Sequence, residues 1–110
     1  MGLTKTENFT AEQNQIAAIA KALAHPARIA ILQEIFKAQS CICGELVGQI
    51  NLAQPTISQH LKELKNAGLI KGNIEGTSVC YCIDDNKWSQ LKNIFNSFLD
   101  RDISINEDCC

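Results

Sequence analysis

The sequence predicts one mainly α-helical domain that carries a small β-hairpin before its last helix. Three observations lead there. Five stretches place apolar residues at helical spacing, most behind recognisable helix starts, and one later stretch alternates at strand spacing. The 110 residues, 45% hydrophobic, suffice for one core and leave no room for a second.

Taken in order, Thr10-Ala11-Glu12-Gln13 has the form of a capping box and opens a helix to about Leu23, with Ile16, Ile19, Ala20 and Leu23 on its apolar face. His25-Pro26 breaks the chain and restarts it, Pro26 suiting a first helical position. The second helix runs to about Ala38 and is broadly apolar through Ile29, Ile31, Leu32, Ile35 and Phe36, which makes it central. A short third helix is expected over 44–50, followed by a tight turn at Asn51-Leu52-Ala53. The fourth runs from Pro55 to a stop at Gly68, where a left-handed residue ends a helix cheaply. Leu69 to Ile74 and Thr77 to Ile83 then read as two strands joined at Glu75-Gly76. Alternation turns Val79, Tyr81 and Ile83 toward the body and leaves Cys80 and Cys82 facing away. The last helix, about Asn86 to Leu99, gathers Trp88, Leu91, Ile94, Phe95 and Phe98 on one side. Residues 1–9 read as a flexible arm, 10–99 as the folded domain and 100–110 as an acidic tail ending in cysteine.

The fourth helix carries the most specific pattern. Ile57, Leu61 and Leu64 recur at i, i+4 and i+7 and face a core. Gln54, Thr56, Ser58, Gln59 and Lys62 are left outside, a set rich in hydrogen-bonding groups and poor in charge. Gln bonds adenine in two places, and Ser, Thr and Lys reach bases or phosphates, so this face suits the reading of DNA base edges. Any amphipathic surface helix also has a polar outer face; the order short helix, turn of three residues, polar-faced helix and hairpin is what makes the pattern a helix-turn-helix with a wing. His60 lies on the flank of the apolar stripe, open to packing or to a base contact.

Charge supports a localised nucleic-acid surface. The chain is net −2, yet residues 1–83 hold seven Lys/Arg against six Asp/Glu, while residues 84–110 hold three against six. Between Ser58 and Gly72 three lysines, Lys71 among them, face one glutamate. No apolar run approaches the roughly 20 residues of a membrane span, and no secretory leader is evident, so a cytoplasmic protein with no membrane partner is expected. No Gly-rich phosphate loop and no positioned Ser/His/Asp set argues for an enzyme.

His25-Pro26-Ala27-Arg28-Ile29, Ser58-Gln59-His60-Leu61-Lys62-Glu63-Leu64 and Ala67-Gly68-Leu69-Ile70 together resemble the ArsR/SmtB family of winged-helix metalloregulatory repressors, over about residues 16–99. The resemblance implies a homodimer held by the first and last helices through Ile16, Ile19, Trp88, Leu91, Ile94, Phe95 and Phe98. It also implies binding to palindromic operator DNA, with release when an inducer binds. Thr56, Ser58, Gln59 and Lys62 would read the major groove, with Gln54 at the helix entrance, and Lys71 and Thr77 would contact the DNA from the wing, whose tip, Glu75 to Ser78, would lie near the minor groove. The wing departs from the family's basic pattern, reading Asn73-Ile74-Glu75-Gly76-Thr77-Ser78 at its tip.

The six cysteines come as three close pairs, Cys41/Cys43, Cys80/Cys82 and Cys109/Cys110. A disulfide framework is not expected without signs of secretion, which leaves reactive or metal-binding thiols. Thiolates suit soft ions such as arsenite, antimonite, Cu(I), Cd(II) or Pb(II). Cys41-Ile42-Cys43 resembles the family's Cys-x-Cys arsenic motif, although Gly44-Glu45-Leu46 follows and Val47 and Gly48 stand where a third cysteine falls in the family. Cys109 and Cys110 are candidates for further ligands; Cys80 and Cys82 form a secondary pair that chance exposed strand positions would also explain. A zinc site on the last helix is rejected because that helix has no His. The leading expectation is a repressor with no obligatory cofactor, induced by arsenite, antimonite or another soft metal ion. The alternatives are a thiol-redox or sulfur-species sensor of the same fold, or a winged-helix protein-interaction module.

Overall fold

Each predicted break in the chain becomes a structural cap. The computed structural model describes residues 6–42, 50–75 and 78–104. A 3-10 turn, Thr6–Asn8, precedes α1 (Ala11–Ala22), α2 (Pro26–Ala38) and α3 (Gln54–Asn66); β1 (Ile70–Glu75) and β2 (Ser78–Ile83) form the hairpin, and α4 (Asp85–Leu99) ends the fold. The helix expected over 44–50 lies, but for Ile50, outside the described residues. Thr10 forms the predicted capping box, its Oγ1 accepting from the Gln13 N–H at 3.1 Å while Gln13 Oε1 accepts from the Thr10 N–H at 2.9 Å. Pro26 opens α2 behind His25, whose Nδ1 accepts from the Ala27 N–H at 3.0 Å.

The end of α3 is a complete Schellman motif. Gly68, at φ 85°, donates its N–H to the Lys65 carbonyl at 3.0 Å, and Leu69 donates to the Leu64 carbonyl at 3.1 Å. Leu64 and Leu69 are both buried, the apolar contact that fastens the motif. The chain therefore leaves α3 directly into β1, so the hairpin is joined rigidly to the helix it follows.

Ile31, Leu32 and Ile35 of α2 meet Ile57, Leu61 and Leu64 of α3, with Leu69 and Ile70 beside them, in one core. Burying a side chain of this kind contributes about 1.5–3 kcal/mol. By contrast α4 has no fully buried residue: Trp88 and Leu91 lean on the core, while Phe98 is 44% exposed and Leu99 61%. Asp84 caps α4 by accepting from the Lys87 N–H, and Trp88 meets Phe36 edge-on with ring centroids 5.2 Å apart.

The hairpin is antiparallel, with Lys71 opposite Cys82 and Asn73 opposite Cys80. Its faces correct the sequence expectation. Tyr81 and Ile83 do pack on the core, but Val79 is 41% exposed and Cys80 is fully buried. The cause is a third piece of extended chain. Ile42 pairs with Tyr81 on the free edge of β2, exchanging both N–H···O bonds at 2.9 and 2.8 Å, and this edge contact brings Cys41 against β2 while Val79 sits out along the hairpin, away from the core.

Candidate nucleic-acid interface and thiol site

On α3 the buried side chains are Ile57, His60, Leu61 and Leu64, whereas Gln54, Thr56, Ser58, Gln59 and Lys62 are all exposed on the opposite face. Two intrahelical contacts order that face: Gln54 Nε2 donates to Ser58 Oγ at 3.1 Å, and Gln59 Nε2 donates to Glu63 Oε1 at 3.3 Å. Ala53 supplies no side-chain cap, and the first turn holds no acidic residue. Pro55 has no N–H and Thr56 donates its own to the Ala53 carbonyl at 3.1 Å, so this first turn presents side chains, not backbone donors, to a ligand. Lys71 is exposed near the base of the hairpin, and Thr77 lies outside the described residues.

His60 belongs to packing. It is 8% exposed, its Nδ1 accepts from Arg28 Nε at 3.2 Å, and its ring lies 4.4 Å from that of His25. Arg28 also donates to the Lys21 and Ala22 carbonyls, at 3.2 and 3.4 Å, which are among the last carbonyls of α1. One guanidinium therefore ties the end of α1, the start of α2 and the middle of α3 together. Burial holds His60 below the usual histidine range, helped by His25 and Arg28 and opposed by Glu63. The motif residues His25 and Arg28 were visible in the sequence, but their joint hold on α3 needed the fold.

The cysteines give the main correction. Cys41 and Cys82 form a disulfide, with Cα atoms 4.4 Å apart across 41 positions of sequence. That separation is what a non-hydrogen-bonded antiparallel pair provides next to the hydrogen-bonded pair Ile42 and Tyr81. Cys80 is disulfide-bonded as well. The expectation that bridges are absent fails here, because the pairing of Ile42 with Tyr81 places Cys41 beside Cys82, 41 positions away in sequence. In this state the two sulfurs of Cys41 and Cys82 are bonded to each other and offer no thiolate to an ion. Among the described residues no three Cys, His, Asp or Glu side chains gather as a metal site. Cys43, Cys109 and Cys110 lie outside the described residues.

The disulfide borders a cleft of ≈ 530 Å³ formed where the end of α2, the hairpin and the start of α4 meet. Of the expected interface residues, Ile19 is covered within the protomer at 4% exposure. Ile16, Trp88, Leu91, Ile94 and Phe95 are half-buried and Phe98 is exposed.

A polar-faced helix entered from a turn, braced by a two-helix core and followed by a hairpin, defines a winged helix-turn-helix. Comparison with known proteins gives the family. A model described as "Bacterial regulatory protein, arsR family" matches residues 25–71. An HTH-type transcriptional regulator of Methanocaldococcus jannaschii is 38% identical over 76 residues, covering 68% of this chain and 84% of that protein. The HTH-type transcriptional repressor SmtB of Mycobacterium tuberculosis is 43% identical over 71 residues, 64% of this chain and 52% of the repressor; the chain spans about half the length of that relative. In structure it resembles the homodimeric winged helix-turn-helix domain Mb0332 of Mycobacterium bovis, at TM-score 0.65 and 27% identity, over 94% of each chain. The chain belongs to the ArsR family, a family of DNA-binding transcriptional regulators and not of enzymes. No helix among the described residues is long and apolar enough to cross a membrane.

Proposed function

We propose that the chain is a homodimeric repressor that binds operator DNA through α3 and is switched by the redox state of its cysteines. The DNA-binding part is supported by the exposed Gln54, Thr56, Ser58, Gln59 and Lys62 on a helix held by the Arg28 clamp. Homodimerisation through α1 and α4 is supported by the apolar α4 face left incompletely covered and by likeness to a homodimeric domain. The domain so used is residues 10–99, working in the cytoplasm.

The observation that carries the switch is the Cys41–Cys82 bridge, which joins the exit of α2 to the wing strand. With the bridge closed, hairpin and α2 are held in one arrangement; with it open, α3 and the hairpin joined to it are free to shift together against α2 as α3 seats in the groove. The reduced form binds and the bridged form releases. Arsenite, antimonite or another soft ion at the reduced thiols of Cys41, Cys43, Cys80, Cys82, Cys109 or Cys110 is the second reading, supported by the preference of thiolates for soft ions.

Fluorescence anisotropy of the reduced protein on DNA from upstream of its own gene separates the two readings. A mild disulfide-forming oxidant should release the DNA and a reductant should restore binding. Release by arsenite or antimonite under reducing conditions, with no response to oxidant, would replace the redox switch with the metalloid one. Operator binding should also fall steeply with salt; a flat salt dependence would return the fold to protein-protein recognition.

A further inference from the structure

The cleft beside the disulfide is lined by groups of complementary charge. Its walls include Cys41, Cys82, Lys71, Asp85, Phe36 and Trp88. Its ≈ 530 Å³ lies within the roughly 300–1,000 Å³ of ordinary small-molecule sites. Cys41 is exposed at its edge and Cys82 is half-buried. Lys71 stands opposite Cys82 in the strand register and shares its face of the hairpin, while Asp85, the first residue of α4, also lines the cleft. A cation and a carboxylate flanking a disulfide match a ligand bearing both opposite charges and a thiol.

We infer that this cleft takes a small amino-acid thiol, its carboxylate toward Lys71 and its ammonium toward Asp85, and that this molecule is the reductant of the Cys41–Cys82 bridge. The inference rests on reading that bridge as a working switch. The thiolate attacks the sulfur of Cys41, the more exposed of the two residues, forming a mixed disulfide as the Cys41–Cys82 bond breaks and its electron pair leaves on Cys82. A second thiolate attacks the ligand sulfur of the mixed disulfide and releases Cys41 as thiolate. Two thiols become one small disulfide, two electrons pass to the protein, and the protons of the two thiols end on Cys41 and Cys82 or in solvent. Lys71 also favours the departing Cys82 thiolate, an effect common to every attacking thiol.

The test follows the opening of this bridge by alkylation and peptide mass spectrometry in the oxidised full-length protein, without DNA. The reductants are cysteine, 3-mercaptopropionate, cysteamine and 2-mercaptoethanol, compared at equal thiolate concentration and corrected for basicity. Cysteine should show a saturating rate, and serine, with the same charges and no thiol, should compete. Lys71→Gln should lower the rates of cysteine and 3-mercaptopropionate relative to 2-mercaptoethanol by about threefold to fivefold, the weight of one partly exposed ion pair. Asp85→Asn should do the same for cysteine and cysteamine, and Lys71→Arg should restore the carboxylate preference. Charge-blind, non-saturating rates that serine does not slow would overturn the inference while leaving the bridge a switch. Selective reduction with operator affinity indifferent to the bridge would keep this site and sink the proposed function instead.

Discussion

Opening the Cys41–Cys82 bridge should cost the fold several kcal/mol, and the size follows from where the bridge lies. It closes a loop spanning 41 positions of sequence. On the chain-entropy relation a loop of that length lowers the entropy of the unfolded chain by roughly 13 cal/mol/K, or about 4 kcal/mol at 25 °C. Against a typical domain stability of about 5–15 kcal/mol this is a large fraction. Cys80 is disulfide-bonded too, so Cys82→Ser is compared within a Cys80→Ser background, where no second bridge restrains the same strand. Urea unfolding of the oxidised Cys80→Ser protein and its Cys82→Ser derivative, at one fixed protein concentration because a dimer's stability depends on it, should differ by about 2–4 kcal/mol. Under a strong reductant the two should converge. A difference below about 0.5 kcal/mol in the oxidised state would refute the reasoning, since hairpin and α2 would then not be tied by this bond.

Three further outcomes follow from particular residues. Gln59→Ala should weaken operator binding by about 1–3 kcal/mol and leave the dimer intact by sedimentation, while unchanged affinity would remove its base-reading role. For His60, whose folded-state affinity for protons lies below the ordinary value of 6.5, the unfolded chain binds the proton more readily. Its contribution to stability is therefore full above pH 6.5 and is lost as pH falls through the lowered folded value. His60→Asn should flatten that part of the urea-midpoint profile, and an identical profile would place the titration elsewhere. Gly68→Ala should destabilise by about 1–2 kcal/mol, because a Cβ at φ 85° is strained and would lie 2.9 Å from Lys87 Cδ. A neutral substitution would mean that the Schellman turn relaxes without loss.

Local chemistry made the helices legible in sequence. The Thr10 box, Pro26, Pro55 and Gly68 each act over one turn, and the observed starts of α1, α2 and α3 and the end of α3 fall within a residue or two of those markers. The polar face of α3 could be read for the same reason, since helical spacing alone separates Gln59 and Lys62 from Leu61 and Leu64. What could not be read depends on contacts distant in sequence. Nothing near Ile42 announces that it pairs with Tyr81, yet that pairing decides the fate of Cys41 and Cys82 and covers the edge of β2. The placing of Cys41 just before Ile42 and of Cys82 just after Tyr81 did hold a signal, because antiparallel pairing of Ile42 with Tyr81 sets those two cysteines opposite each other. His60 shows the complementary case: its position on the flank of the stripe left two roles open, and Arg28, 32 residues earlier, chose between them.

The central claim is that the bridge between Cys41 and Cys82 sets operator affinity. The most direct measurement is the ratio of operator dissociation constants for oxidised and reduced protein, in wild type and in Cys82→Ser, at one salt concentration. The account predicts a ratio of at least about tenfold in wild type, equivalent to the roughly 1–3 kcal/mol of an ordinary coupling between sites, and a ratio near one in the variant. Equal affinities for oxidised and reduced wild type, or a ratio that persists in Cys82→Ser, would contradict it.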